Sequence, residues 1–123
     1  MSQKILIVED QEDLRDIVRF ALEAAGYQVF TAVNGADGVA KAVAENPDLV
    51  LMDIQMPVMD GYEATRRIKA LSGMAATPVI AVSSFAMKGD EEKARAAGCD
   101  DYVTKPYSPK QLLALVQKML AGS

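Results

Sequence analysis

Short aliphatic runs recur along this chain, separated by longer stretches in which apolar residues return every three or four positions. Ile5-Leu6-Ile7-Val8, Leu49-Val50-Leu51-Met52 and Val79-Ile80-Ala81-Val82 contain no polar residue, the pattern of strands covered on both faces within a parallel sheet. Val29 to Val33 and Tyr102-Val103-Thr104 read as two further strands. The intervening stretches read as helices. From Gln11 to Ala25, the residues Leu14, Ile17, Val18, Ala21, Leu22 and Ala25 line one face, and Gly26 supplies the stop. After an Asn34-Gly35 turn, a second helix carries Val39, Ala40 and Val43 inward and ends near Asn46-Pro47. Asp60 and Glu63 form a capping-box-like pair for a third helix running to Leu71. Lys88 to Ala97 is a polar helix stopped by Gly98, and with few large apolar residues it is expected to be the least firmly anchored element. Ser108, Pro109 and Gln111 read as N-cap, first helical position and capping-box partner of a last helix, whose apolar face is Leu112, Leu113, Val116, Met119 and Leu120.

Five strands alternating with five helices through short loops predict an α/β fold. It is a (βα)5 doubly wound, five-stranded parallel sheet with helices on both faces, residues 1–123 forming one domain. In such a sheet the C-terminal ends of the strands open on one edge, where ligands bind. That edge collects Glu9, Asp10, Asp53, Ser83 and Lys105. The segment from Asp48 to Pro57 runs four apolar residues into the Asp53 carboxylate, a position that by itself suits either a functional acid or a turn cap. Three carboxylates brought together repel one another, which raises at least one pKa unless a cation sits among them. Oxygen-only donors suit magnesium. The Lys105 ammonium and the Ser83 hydroxyl are then left for a phosphoryl group, whose equatorial oxygens such partners neutralise. Asp53 is the natural nucleophile in that arrangement.

Composition narrows the class. The chain has 123 residues, 50% hydrophobic and 24% charged, enough for one globular core. A net charge of -4 disfavours sequence-independent binding to nucleic acid or to an anionic membrane. The apolar residues after Lys4 are too few for a signal peptide or a membrane span, so a cytoplasmic protein is expected. The single Cys99 permits no internal disulfide and is expected to be a small, partly buried thiol. The chain contains no histidine. Imidazole general bases, Ser-His-Asp and Cys-His arrangements, His-ligated zinc and a phosphohistidine carrier role are therefore excluded.

Several fragments now fall into order: Ile7-Val8-Glu9-Asp10, Met52-Asp53-Ile54-Gln55-Met56-Pro57 with Met59-Asp60-Gly61, Ala81-Val82-Ser83, and the run from Ala97 to Lys105-Pro106. Their order and spacing resemble the receiver domains of two-component response regulators over essentially the whole chain. Ser84 to Glu92 further resembles stand-alone single-domain regulators and the receivers of hybrid kinases. The resemblance implies that Asp53 accepts a phosphoryl group from a sensor histidine kinase or a histidine phosphotransfer protein. It implies that the Asp10 and Asp53 side chains and the Gln55 backbone carbonyl bind Mg2+, with Glu9 helping through water. It assigns Lys105 to the acceptor carboxylate and then the phosphoryl group, Ser83 to a phosphoryl oxygen, a cis peptide to Lys105-Pro106, and a coupled aromatic switch to Tyr102. Duller roles stay open beside these: helix capping for Glu9 or Asp10, backbone satisfaction for Ser83, and a fixed core position for Tyr102.

On this reading the protein is a signalling switch, not an enzyme beyond its own phosphorylation and dephosphorylation at Asp53. An inward Ser83 lets Tyr102 turn from exposed to buried, altering the face of the fourth helix, fifth strand and fifth helix, where a downstream protein reads the state. The first helix is the expected kinase docking surface. Gln55 and Phe85, each two residues past a key site, are placed to obstruct the water that hydrolyses the phosphate. A monomer or weak dimer is expected, and Met1 just before the first strand together with the end at Ala121-Gly122-Ser123 suits a regulator without an output domain. Three rivals stand against it. A degenerate receiver would serve as a scaffold without phosphorylation. A phosphatase of the haloacid-dehalogenase type needs a second Asp where this chain has Gln55, and an FMN carrier needs a Ser-, Thr- and Gly-rich loop where this chain has Glu9-Asp10-Gln11-Glu12-Asp13.

Overall fold

The computed structural model describes residues 3–56, 59–83, 89–105 and 107–121. Strands β1 (Lys4–Val8), β2 (Gln28–Ala32), β3 (Leu49–Asp53), β4 (Val79–Ser83) and β5 (Asp101–Thr104) alternate with helices α1 (Glu12–Ala24), α2 (Gly35–Glu45), α3 (Gly61–Lys69), α4 (Asp90–Ala97) and α5 (Pro109–Ala121). The strands form one parallel sheet in the order β2-β1-β3-β4-β5. This is the doubly wound fold that the alternation of strand and helix patterns predicts.

Successive side chains of a strand point to opposite faces, and this alternation divides the core in two. Leu6, Val8, Val50, Met52, Val79 and Ala81 pack with Ala42, Ala64, Ile68 and Ala94 of α2, α3 and α4. Ile5, Ile7, Leu49, Leu51 and Ile80 pack with Val18 and Leu22 of α1 and with Leu112, Val116 and Leu120 of α5. Each large aliphatic side chain so removed from water contributes roughly 1.5–3 kcal/mol.

The helix faces depart from the expected ones at two places. In α2 the buried residues are Gly35, Gly38 and Ala42, with Val39 half-buried, whereas Ala40 is exposed and Val43 is 64% exposed. The cause is close approach: a Cβ on Gly38 would lie 2.8 Å from Cγ2 of Val8, so the helix seats its smallest residues on β1. Val43 then follows Ala42 by one residue, about 100° round the helix. In α1 the buried pair is Val18 and Leu22, one turn apart, which leaves Ile17 50% exposed at the side of the stripe.

The caps follow the sequence more closely. Ser108 and Gln111 form a reciprocal box, with Gln111 N–H donating to Ser108 Oγ at 3.0 Å and Ser108 N–H donating to Gln111 Oε1 at 3.1 Å. Asp60 Oδ1 accepts from Glu63 N–H at 2.9 Å, but the Glu63 carboxylate goes to Arg66 and Arg67, so only half of that box forms. Asn34 is the N-cap of α2, with its Oδ1 accepting from Asp37 N–H at 2.8 Å. The α3 helix stops at Lys69, short of Leu71. Only Ala94 and Ala97 of α4 are buried, as its polar sequence suggests, and the expected start at Lys88 lies outside the described residues.

One polar tie braces this side of the fold. Lys69 Nζ donates to Asp100 Oδ2 at 2.8 Å and to Thr77 O at 2.6 Å, and Asp100 Oδ2 also accepts Val79 N–H at 2.9 Å. Asp100 thus joins α3 to the start of β4. We expect Asp100→Ala to lower unfolding stability in urea by about 1–2 kcal/mol, because it strips acceptors from a backbone N–H and a mostly covered ammonium. Glu91→Ala, which breaks an exposed pair with Arg95, should change it by less than about 0.5 kcal/mol.

Candidate functional site at the carboxyl edge of the sheet

Strand parity assembles the site. Val8 pairs with Met52, so Glu9 follows β1 where Asp53 ends β3, and both share the face of Ile7 and Leu51. Lys105 follows β5 on the face of Val103, which also packs on that side. Glu9 N–H bonds to Ala32 O at 3.0 Å and Lys105 N–H bonds to Ser83 O at 2.6 Å, so both residues continue the sheet's backbone ladder. Gly61 opens α3 against the backbone of Asp53 and Ile54, where a Cβ would collide with the Asp53 carbonyl.

Glu9 and Asp53 are 4% and 3% exposed, whereas Asp10 faces solvent. Lys105 Nζ lies 3.0 Å from Glu9 Oε1 and 3.4 Å from Asp53 Oδ2. Asp53 Oδ1 accepts from Gln55 N–H at 3.1 Å, and Glu9 Oε2 accepts from Gln11 N–H at 3.1 Å. Carboxylate oxygens of Glu9, Asp10 and Asp53 lie within 4.8 Å of one another.

Burial first, and then the hydrogen bond and charge of Glu9, push the Asp53 carboxyl up to about 7 against the opposing pull of Lys105 and of Gln55 N–H. Burial works against the Lys105 ammonium, but the hydrogen bond it donates to Glu9 and the charge of Asp53 outweigh it and hold its pKa above the ordinary lysine value. Tyr107 lines the pocket beneath the two acids, and burial with the charges of Glu9 and Asp53 pushes its phenol up to about 12.

Glu9, Asp10, Asp53 and Lys105 are therefore brought together. Ser83 ends β4 and is 1% exposed, but it shares the parity of Val79 and Ala81 and so begins on the α2-α3-α4 face. Its Oγ accepts from Gln55 Nε2 at 2.6 Å. Tyr102 is half-buried against the same cluster. Cys99 is more deeply buried than expected, with its thiol 3.7 Å from Thr65 Oγ1. Phe85, the Ser84 to Lys88 stretch and the Lys105-Pro106 peptide lie outside the described residues. Three features escape the sequence reading: Glu9 as the nearer partner of Lys105, the Gln55 amide on Ser83, and Tyr107 under the acids. Parity on β1 and β3 carried a signal for the first, and adjacency to Lys105-Pro106 for the third.

A parallel sheet in this order reverses its winding between β1 and β3, and Glu9 and Asp53 end those two strands. The fold and site thus define a doubly wound α/β protein with an acidic, lysine-bearing ligand site at its topological switch point. The chain belongs to the response regulator receiver domain family, whose model matches residues 5–117. It is 40% identical to the polar-differentiation response regulator DivK of Brucella anthropi over 123 residues, covering 100% of both proteins. Vibrio cholerae chemotaxis protein CheY4 matches with a TM-score of 0.93 at 31% identity, over 98% of this chain and 100% of its own. The receiver domain of a Pseudomonas aeruginosa sensor histidine kinase, solved with a magnesium ion coordinated in its active-site cleft, matches with a TM-score of 0.90 at 36% identity over 100% of both chains. The chain is accordingly a phosphorylation-dependent signalling module of two-component systems, not a classical enzyme. Among the described residues no helix is long and apolar enough to cross a membrane.

Proposed function

We propose that Asp53 is the phosphoacceptor of this receiver, and that residues 1–123 act as a single receiver unit in the cytoplasm. The observation that carries the reading is the Lys105 ammonium held between two buried acids, 3.0 Å from Glu9 and 3.4 Å from Asp53, beside the exposed Asp10. Magnesium fits this donor set, because every side-chain donor is a carboxylate oxygen, and the Gln55 backbone carbonyl, two residues after Asp53 in sequence, would complete it. When bound, the ion supplies positive charge that offsets the acids and the phosphoryl oxygens.

An Asp53 carboxylate oxygen attacks the phosphorus of a phosphohistidine. The Asp53 O–P bond forms as the donor's N–P bond breaks, and the departing imidazole takes the electron pair and a proton from solvent. The donor is a second molecule, a histidine kinase or phosphotransfer protein, since this chain has no histidine. Lys105 offsets charge on the transferred group, Gln55 N–H holds the Asp53 oxygen it already bonds, and Ser83 donates its hydroxyl to a phosphoryl oxygen. Helix α1 starts beside Glu9 and Asp10 and exposes Ile17 and Phe20, an apolar surface for the donor to dock on. Tyr102 couples Ser83 to the α4-β5-α5 face that a downstream protein reads. The protein catalyses only its own phosphorylation and dephosphorylation. With a small phosphodonor and Mg2+, wild type is expected to take up an acyl phosphate, and chelating the metal or substituting Asp53→Asn should abolish it. Equal uptake without Mg2+ counts against the metal assignment.

A further inference from the structure

The Ser83 hydroxyl is already engaged before any phosphoryl group arrives. Its Oγ accepts from Gln55 Nε2 at 2.6 Å, across 28 residues of sequence, joining the loop after β3 to the end of β4. Asp53 has other partners: Gln55 N–H on Oδ1, and Lys105 on Oδ2. Parity explains the separation, since Ser83 leaves the strand on the face of Val79 and Ala81 while Asp53 shares the face of Leu51. Gln55 therefore touches both groups at once, the acceptor through its backbone and the hydroxyl through its side chain.

We propose that the Gln55 side chain is a latch that holds Ser83 in its resting rotamer, so that the Gln55–Ser83 hydrogen bond opposes capture of a phosphoryl group on Asp53. The inference rests on the assignment of Asp53 and Ser83 above. A serine hydroxyl turns among three staggered rotamers at little cost, and the short amide contact selects one of them. In the latch, donation to an oxygen on Asp53 takes the hydroxyl to another rotamer, away from the face of Val79 and Ala81, and the bond to Gln55 is lost. A typical net hydrogen-bond contribution corresponds to about a two- to twelvefold bias towards the resting state. The bond makes Gln55 a positioning residue that acts through Ser83. Its backbone N–H and C=O, which serve Asp53 and the magnesium donor set, are untouched by a change of side chain.

Gln55→Met keeps the length of the side chain and removes its donor. The test is the affinity for beryllofluoride with saturating Mg2+, a phosphoryl mimic that needs no turnover, in four proteins: wild type, Gln55→Met, Ser83→Ala and the double variant. The latch predicts that Gln55→Met binds about two- to twelvefold tighter than wild type, and that the same change is silent in the Ser83→Ala background. Unchanged or weaker binding in Gln55→Met overturns the latch, as does an equal gain in both backgrounds, which would mean that Gln55 acts independently of Ser83. Absence of binding in wild type, with folding intact by circular dichroism, overturns the underlying assignment of the site and the latch with it.

Discussion

Asp53→Asn is expected to make the metal-free protein more stable at pH 8, by on the order of 4 kcal/mol, the worth of raising a buried carboxyl from its ordinary value of 3.8 to about 7. The sign follows from proton binding. Between pH 4 and 7 the folded chain keeps a proton on Asp53 that the unfolded chain has released, so wild-type stability falls as pH rises through that window. It levels off above the folded value. The amide of the variant does not titrate and is spared this loss. Urea denaturation in the presence of a chelator should show a gap between the two proteins that at pH 5 is less than half its size at pH 8. A gap independent of pH, or a variant less stable at pH 8, would refute the claim that burial and Glu9 strain the Asp53 charge. The physical meaning is that the site holds like charges that Lys105 only partly offsets.

The stability given up there is available to a cation. At pH 8, Mg2+ at a hundredfold excess over its dissociation constant should stabilise wild type by about 2.7 kcal/mol. The shift should be absent in Asp53→Asn and strongly reduced in Asp10→Ala, whose exposed carboxylate completes the oxygen cluster. Below pH 7 protons compete for Asp53, so the shift should shrink. Thermal melts of the three proteins with and without Mg2+ at pH 8 and pH 5.5 check this. Equal stabilisation of Asp53→Asn would place the ion elsewhere.

Much of this was legible in the chain itself. Unbroken aliphatic runs at Ile5, Leu49 and Val79 identified strands covered on both faces, and the same runs carried Glu9, Asp53 and Ser83 to one edge. What was not legible depended on approach between elements. The inward face of α2 was set by Gly38 closing on Val8, a contact that outweighs the hydrophobicity of Val43, and no periodicity within the helix encodes it. Ile17 was left outside because Val18 and Leu22 are the α1 residues that meet the sheet and α5 in that core cluster. The division of Lys105 between Glu9 and Asp53 needs the register of β1 against β3. The reach of Gln55 to Ser83 needs the loop path, which residue spacing does not specify.

On the proposed function, the phosphoryl group lands on Asp53. Its most direct test is transfer from a phosphorylated histidine kinase to the intact chain, followed by borohydride reduction of the acyl phosphate and mass spectrometric location of the reduced residue. A single reduced position, Asp53, is expected in wild type and none in Asp53→Asn. Reduction at Glu9, Asp10 or any other residue of wild type, or equal incorporation into Asp53→Asn, would contradict it.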